Sequence, residues 1–257
     1  QSIYSSLLTP QGKYLFDFIL VKHKKGYVID CEKIELENLI KALNVYKLRS
    51  KIEILNLSDE LVVASFSYEK YLSLENNQTP GFTFKYREDP ILLDPRNIKL
   101  GARLMSNLEK LYLSLKKLDL KIMDKNIYYK KSFDLGIAQI NNSKLKDKIF
   151  GIECNLEELN AIDFKKGCFV GQENTSRIRL RNKLRRRLLP LKIKEGKILE
   201  GDLIKFNNND IGRILIHYPF PFALVKVTDP NIKEFLKKDL VCGAAKVEVT
   251  KPEWLNL

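Results

Sequence analysis

A single cysteine lies in the short stretch KKGCFVGQE, between a pair of lysines and a glutamine–glutamate pair. Lys166 lies two residues before Cys168, so an ammonium group is close to the thiol in sequence. Glycines on both sides leave the backbone open, and a helix beginning after the second glycine would direct its N-terminal dipole at the sulfur. Cations and helix N-termini both stabilise a thiolate. The pattern therefore predicts a presented, reactive thiol at Cys168, with Lys166 favouring its charged form.

The sequence does not choose between several chemistries for this thiol. A thiolate can attack a disulfide, take up a one-carbon adduct or bind iron transiently. The alternative is a buried and inert thiol, because free cysteine packs like a small hydrophobic residue. We favour a functional thiol because cations, glycines and a possible helix start coincide in this stretch.

The remaining cysteines and the histidines show no spacing typical of a metal site or a disulfide framework. The four cysteines are Cys31, Cys154, Cys168 and Cys242. None of them lies in a C-x-x-C pair, and the two histidines are far apart in the chain. Zinc ligands are usually closely spaced, and a permanent iron–sulfur cluster would take all four cysteines. We therefore predict reduced thiols and no resident metal.

Reduced thiols and the absence of a visible secretory or transit segment predict a cytoplasmic protein. No apolar run approaches the roughly 20 residues of a membrane span, so we predict no membrane partner. The chain begins with Gln1 rather than methionine, and we expect N-terminal residues to be missing.

The chain is basic, and part of its charge is concentrated after the cysteine stretch. Lysine and arginine number 45 against 32 for aspartate and glutamate, and the formal net charge is +13. This balance favours nucleic acids, anionic surfaces or polyanionic ligands, although scattered lysines are usually only solvated. Seven cations lie within eleven residues: Arg177, Arg179, Arg181, Lys183, Arg185, Arg186 and Arg187. Their alternating order suits a β ribbon. Aromatic residues for base stacking are absent from this run, so direct nucleic-acid binding is possible but not favoured.

Hydrophobic periodicity predicts an α+β protein whose C-terminal part is rich in β structure. Strands are predicted at Ile3–Thr9, Tyr14–Lys22, Lys51–Leu57 and Leu61–Tyr68, and helices at Ile34–Tyr46, Leu108–Leu118 and Lys125–Leu135. After Arg185 the chain changes to short β runs, interrupted by one predicted helix near Ile232–Leu240. At 257 residues the chain can hold two domains. We place them at residues 1–184 and 185–257.

The cysteine stretch resembles the signature of the YgfZ folate-binding proteins, which are relatives of the glycine-cleavage T-protein. Further matches are YSSLLTPQGKYLFDF at the start, YKLRSKIEI after the first predicted helix and GIECNLEELNAIDF before the cysteine stretch. The resemblance covers nearly the whole chain. It implies a T-protein-like folate-binding α+β domain with antiparallel sheets and helices, followed by a small C-terminal antiparallel β-barrel.

The resemblance also implies a cofactor and a function. The cofactor would be tetrahydrofolate, with or without a polyglutamate tail. The function would be assembly or repair of iron–sulfur clusters in client enzymes, including radical enzymes that modify tRNA. The arginine-rich run would then be a helix followed by a strand rather than a ribbon, and its cations would suit the polyglutamate tail.

Four residues are predicted to bind the cofactor. Glu153, in GIEC, resembles the position where T-protein relatives hold the pterin ring with a carboxylate. A carboxylate suits the paired N–H donors of the pterin edge, although an ordinary surface glutamate is the alternative. Gln172, Glu173 and Arg177 are predicted to line the same site. Gln172 and Glu173 have a second possible role, in which they orient the turn by capping backbone N–H groups.

Two other functions stay open. The first is folate-dependent aminomethyl or methyl transfer, as in the T-protein, which relies on an aspartate pair in the first strands. The matching stretch GKYLFDF has Phe16 in place of the first aspartate and keeps only Asp17. Loss of a carboxylate that would steer proton transfer argues against ordinary aminomethyl transfer. The second is a basic RNA-binding protein.

Overall fold

The computed structural model describes residues 1–24, 26–181 and 184–257. Lys183, a member of the predicted cation run, lies outside the described residues. The helices are α1 Leu36–Lys47, α2 Tyr68–Leu72, α3 Leu108–Lys117, α4 Lys125–Asp134 and α5 Gln172–Leu180. The first strands are β1 Ser2–Leu8, β2 Tyr14–His23, β3 Gly26–Asp30, β4 Val62–Phe66, β5 Thr83–Tyr86, β6 Asp89–Leu93 and β7 Ala102–Ser106. The last strands are β8 Arg186–Glu195, β9 Leu203–Phe206, β10 Asn209–Ile216, β11 Phe222–Lys226, β12 Leu240–Cys242 and β13 Ala245–Val249.

The chain divides into two compact units. The first consists of Gln1–Ser5 and Asp17–Tyr128, and the second of Ser6–Phe16 and Tyr129–Leu257. The division therefore falls within β1 and β2, which form a three-stranded sheet with β3 in the order β1-β2-β3. The domain boundary between residues 184 and 185 stays a prediction.

The first unit is built around an antiparallel sheet in the order β4-β7-β6-β5. Strands β6 and β7 are buried along their whole length, and their apolar side chains form the core with Tyr71 of α2 and Leu111 of α3. Helix α3 begins where the Asn107 side chain accepts a hydrogen bond from Lys110 N at 2.8 Å, the usual role of asparagine at a helix start. The helices predicted around α1 and α3 are therefore confirmed.

Two predicted elements are absent from the described residues. The predicted strand Lys51–Leu57 forms no strand, although the next one is present as β4. The predicted helix near Ile232–Leu240 is reduced to one 3-10 turn at Ile232–Glu234. Residues 51–57 have strand-forming side chains but make no ladder with another strand, and a single turn after Asn231 is too short for a stable helix.

The second unit contains a closed antiparallel barrel in the order β10-β11-β8-β13-β12-β9. Alternate residues of each strand point inward, because side chains on a strand have a period of two. Inside the barrel, Leu189, Val225 and Val247 are fully buried. The β9–β10 turn is made by Asn207 and Asn208, both with positive φ, as asparagine favours in hairpin turns. The predicted small C-terminal β-barrel is confirmed.

One exposed ion-pair cluster in the second unit predicts an acid-dependent loss of stability. Lys144 Nζ lies 2.5 Å from Glu200 Oε2, and Lys148 Nζ lies 2.8 Å from Glu200 Oε1. The hydrogen bonds from Lys144 and Lys148 lower the pKa of Glu200 from 4.5 to about 2. Since the folded-state pKa lies below the unfolded value, the stabilisation is fully present above the unfolded pKa and is lost as the pH falls towards the folded one.

We therefore expect Glu200→Gln to lower the melting temperature near pH 6, and the difference from the original protein to shrink steadily below pH 4.5. Thermal unfolding of both proteins across this pH range measures the effect. A difference that does not change with pH would mean that the carboxylate charge of Glu200 contributes nothing.

Candidate functional site

Two stretches that are distant in sequence meet backbone to backbone in the second unit. They are the turn at residues 9–13 and the start of α5. Gly12 and Gly171 both have positive φ, +80° and +82°. A Cβ on Gly171 would lie 2.5 Å from Thr9 O and 2.8 Å from the Cα of Gly12. Only glycine allows both this conformation and this close approach.

Hydrogen bonds hold the same meeting point in place. Asn174 Nδ2 donates to Gln11 O at 3.0 Å. The N–H of Gly151 donates to Gly12 O at 2.9 Å. The stretches LLTPQGK, FGIEC and KKGCFVGQE, all of which carry the family resemblance, are therefore brought together in one place.

Helix α5 begins directly after Gly171, so the predicted helix start is confirmed. Thr175 Oγ1 donates to Gly171 O at 2.8 Å and is buried. Glu173 and Arg177 lie one turn apart on the exposed face of α5, and Arg177 Nη2 lies 2.5 Å from Glu173 Oε1. Glu173 therefore pairs with Arg177 in this structure, and the cofactor contacts of both residues stay predictions.

Cys168 is exposed, and Gln172 orders the turn that presents it. Gln172 Oε1 accepts a hydrogen bond from Phe169 N at 3.0 Å, and Gln172 Nε2 lies 3.8 Å from Cys168 Sγ. These contacts match the predicted role in which Gln172 orients the turn by accepting a hydrogen bond from a backbone N–H. Lys166 Nζ lies 5.2 Å from the centroid of the Phe169 ring. A cation–π contact therefore holds the ammonium within the same turn.

The other three cysteines are less accessible than Cys168. Cys31 is partly buried, and burial together with Asp30 raises the pKa of its thiol to about 12. Cys242 is buried, and burial together with Asp202 raises the pKa of its thiol to about 11. Cys154 is also buried. Because another molecule can reach only an accessible sulfur, the exposed Cys168 is the best placed of the four for such chemistry.

Glu153 is buried, and its carboxylate already has two partners within the chain. Its Oε1 accepts a hydrogen bond from Arg186 Nε at 2.9 Å, and its Oε2 accepts one from Phe150 N at 3.0 Å. The Glu153 side chain is 7% exposed, whereas that of Arg186 is 46% exposed. Glu153 therefore ties its own turn to the start of β8, so it is not an ordinary surface glutamate.

Arg187, the next residue on β8, makes a second and more deeply buried attachment. Its guanidinium donates to Ile152 O at 3.2 Å and to Asn155 Oδ1 at 3.2 Å, and it pairs with Glu158. Truncating such a cation would leave buried acceptors without a donor. Arg187 is therefore a structural residue rather than part of a free cationic surface.

The cation run is a helix end followed by a strand, as the resemblance implied, and the alternative of a β ribbon is wrong. Arg179 Nε lies 2.6 Å from Glu157 Oε1, and its guanidinium lies 4.4 Å from the centroid of the Phe164 ring. Four members of the run therefore have acidic partners: Arg177, Arg179, Arg186 and Arg187. Much of the predicted polyanion-binding charge is neutralised within the protein.

The first unit contains a buried polar cluster that the sequence did not indicate. Asp94 accepts hydrogen bonds from Arg96 Nε at 3.0 Å and Arg96 Nη2 at 2.7 Å. Arg103 pairs with Asp30 at 2.5 Å, and both arginines donate to the hydroxyl of Tyr128. Burial raises the pKa of Asp94, but Arg96 and Arg103 outweigh it and hold that pKa below its usual value. The two carboxylates and two guanidinium groups balance in charge inside the unit, so removing one of them would leave a buried charge unpaired.

The described ranges offer no group of three or more histidine, cysteine, aspartate or glutamate side chains able to hold a metal ion. Over the same residues, every helix is too short or too polar to cross a membrane.

Comparison with known proteins gives relatives that are named as iron–sulfur cluster assembly factors. The iron–sulfur cluster assembly factor IBA57 homolog, mitochondrial, of Dictyostelium discoideum is 28% identical over 213 residues, which cover 74% of this chain and 52% of that protein. The Neurospora crassa homolog is 26% identical over 95% of this chain and 55% of its own length. The Mus musculus protein is 27% identical over 77% of this chain and 55% of its own length. No family model matches the chain.

Comparison with solved structures identifies the fold. The glycine cleavage system aminomethyltransferase T from Bartonella henselae superposes with a TM-score of 0.72 over 99% of this chain and 76% of its own, at 14% sequence identity. The chain is similar in sequence to the IBA57 assembly factors and has the T-protein fold. The predicted relationship is thus confirmed.

The relatives correct one prediction about this chain. The matched assembly factors are named as mitochondrial, so the predicted cytoplasmic location is wrong. Reduced thiols do not distinguish between two reducing compartments, so cysteine usage could not decide this point. The chain spans about half the length of the curated assembly factors that it matches.

Sequence reasoning missed the part that three residues play in the site. Arg186 was named only as a member of the cation run, yet it is the partner of Glu153. The sequence marks Gly12 as a turn glycine but not as a neighbour of Gly171, and Asn174, directly after the cysteine stretch, was not singled out. A glycine after a turn proline was a visible signal for a special backbone conformation, but nothing in the sequence pointed to its partner at Gly171.

Proposed function

We propose that this protein assists the assembly or repair of iron–sulfur clusters in client enzymes, that it binds tetrahydrofolate, and that the thiol of Cys168 takes part directly. The observation that carries the proposal is the exposed Cys168 on a turn fixed by Gly171 and Gln172. The support from outside the chain is the name of its relatives, iron–sulfur cluster assembly factors. The range of clients, including radical tRNA-modifying enzymes, stays a prediction from the resemblance.

The function is tested by expressing the chain in cells that lack their own factor of this kind. We expect the activities of iron–sulfur enzymes to recover, while enzymes without a cluster are unchanged. If the folded protein is present and the iron–sulfur enzymes do not recover, the proposal is contradicted.

The residues present are compatible with a bound reduced folate, which would supply a carrier for one-carbon groups. Each carboxylate oxygen can accept two hydrogen bonds, and each oxygen of Glu153 has one partner within the chain. Glu153 can therefore accept from a pterin amino edge without losing Phe150 N. Because Arg186 is half exposed, it can also move aside without being left unpaired in the interior.

Folate binding predicts a rise in melting temperature, since a ligand that binds only the native state stabilises it. At tetrahydrofolate concentrations about 100-fold above Kd the stabilisation is about 2.7 kcal/mol. We expect Glu153→Gln, which keeps the size of the side chain but loses one acceptor oxygen, to reduce this shift strongly. Differential scanning fluorimetry with and without tetrahydrofolate measures it.

Arg186→Ala is the matched control for this prediction. It removes the same internal ion pair as Glu153→Gln but leaves the carboxylate in place. Both variants should therefore lose some stability without ligand, while only Glu153→Gln should lose the response to ligand. Equal responses in the two variants would show that the Glu153 carboxylate does not hold the pterin.

Folate-dependent aminomethyl or methyl transfer is the second candidate, and the T-protein fold favours it. Phe16, at the position of the missing aspartate, argues against ordinary aminomethyl transfer. The ring of Phe16 is buried, and Lys146 Nζ lies 3.8 Å from its centroid. An ammonium packs on an aromatic face here, so residue 16 supplies no carboxylate to steer proton transfer. We expect no transfer of an aminomethyl group to tetrahydrofolate by the purified protein.

A further inference from the structure

Residues 51–57, KIEILNL, have the residue types of a β-strand but are unpaired in the first unit. Ile52 is 56% exposed and Leu55 is 61% exposed, which is unusual for large aliphatic side chains. Among the described residues, no backbone carbonyl accepts a hydrogen bond from the N–H of Glu53 or Leu55. The segment therefore has strand-forming side chains without a ladder.

A free sheet edge follows this segment in the chain. Strand β4 is an outer strand of its sheet and pairs only with β7 among the described strands. Its residues Val62, Ala64 and Phe66 pack against the core of the unit. An edge strand of this kind leaves a row of backbone donors and acceptors open to pairing with another extended chain.

The turn that joins the segment to β4 is already formed. The N–H groups of Leu61 and Glu60 both donate to Leu57 O, at 2.8 Å and 3.0 Å. Ser58 N donates to Asn56 Oδ1 at 3.0 Å, so the turn is also held by a side chain. The bond from Leu61 to Leu57 is the first rung of a hairpin with a three-residue connection, Ser58 to Glu60.

We propose that residues 51–57 close on the free edge of β4 as a fifth strand, and that the structure shows the open form of this hairpin. The first rung defines the register. The direction of the backbone N–H and C=O groups alternates along a strand. The groups of Val63 and Ser65 therefore point to the same side as those of Leu61, which is the side of residues 51–57. Leu55 would then pair with Val63, and Glu53 with Ser65.

The side chains agree with this register. In it, Ile54 lies opposite Ala64 and Ile52 lies opposite Phe66, on the face of β4 that packs against the core. Cross-strand pairs of β-branched and aromatic residues are favourable on such a face. Closing would cover Ile52 and would also remove the open edge of β4 from contact with other extended chains.

Hydrogen exchange of the full chain, read residue by residue, tests the closed form. In the proposed register, the N–H groups of Glu53 and Leu55 donate to β4, whereas those of Ile54 and Asn56 point away and have no backbone acceptor among the described residues. We expect the first pair to exchange at least tenfold more slowly than the second pair. Equal, unprotected rates for all four amides would overturn the proposal. Equal protection of all four would also overturn it, since this needs a partner on each side.

A disulfide trap separates closure within one chain from pairing between two copies. Ile54 and Ala64 form a non-hydrogen-bonded pair in the proposed register, about 4.5 Å apart at Cα. That spacing is within the roughly 4.4–6.8 Å that a disulfide accepts. In a Cys168→Ser background, the double variant Ile54→Cys, Ala64→Cys should form an intramolecular disulfide on mild oxidation.

The matched control is Glu53→Cys with Ala64→Cys, whose side chains would lie on opposite faces of the hairpin. We expect at least a tenfold lower yield of disulfide from this pair, measured by peptide mapping without reduction. Similar yields from the two pairs would show a segment without a register and would overturn the proposal. Disulfides mainly between chains would show that a second copy occupies the edge, and would overturn it as well.

Discussion

Replacing Cys168 by serine is expected to abolish the support of iron–sulfur enzyme activity in cells that depend on this protein. The fold should survive, because the side chain is exposed and one sulfur-to-oxygen change at such a site removes little packing. Folate binding should survive too, since Glu153 and its partners are untouched. A serine hydroxyl cannot take the place of a thiolate as a nucleophile or an iron ligand at neutral pH.

The matched control is Cys31→Ser, which changes a partly buried thiol in the first unit. It should leave cellular activity close to that of the original protein. Alkylation of the native protein with limiting iodoacetamide should label Cys168 first and remove the activity in parallel. Full activity of the Cys168→Ser protein would show that the thiol only fills space on its turn.

Replacing Gly171 by alanine should have the largest effect on stability among single changes in the cysteine stretch. The left-handed conformation costs an alanine about 1–2 kcal/mol. Contact of the new Cβ with the backbone of residues 9–12, at 2.5–3.0 Å, adds to this because backbone cannot move aside as a side chain can. We expect a total loss on the order of 3 kcal/mol, or roughly 6–12 °C in melting temperature for a chain of this size.

Gly167→Ala is the control on the other side of the cysteine. Its Cβ would have no heavy atom within 4 Å, and Gly167 does not have a positive φ. This variant should melt within about 1 °C of the original protein, because surface changes away from special features are usually small. Equal melting temperatures of the two variants would show that the contact between Gly171 and Gly12 is not needed.

This difference also refines the interpretation of the glycines. The sequence suggested that both serve to expose the thiol, since one lies before it and one after it. In the structure only Gly171 is required by its conformation and neighbours, and its partner lies about 160 residues earlier in the chain. Sequence could identify the turn because glycine has a local preference, but the contact that makes glycine necessary is not local.

The same distinction runs through the rest of the molecule. Helices α1 and α3 and the barrel strands were predictable because their apolar periodicity is written into consecutive residues. The role of Arg186 was not predictable, because the sequence does not distinguish a solvated arginine from one that pairs with Glu153. The strand expected at residues 51–57 shows the opposite error. A local preference was present, but the neighbour that would complete the ladder is not engaged.

The way the chain enters the second unit twice has a consequence for synthesis. The turn at residues 9–13 emerges from the ribosome early, but its partner Asn174 is 163 residues further along the chain than Gln11. At about 5–20 residues per second, roughly 8 to 33 s pass before that partner exists. During this time the first unit can fold around Asp17–Tyr128, while the turn at residues 9–13 lacks its partner Asn174. Chaperone dependence during translation should therefore be concentrated at the N-terminal turn, and a slower ribosome should increase it.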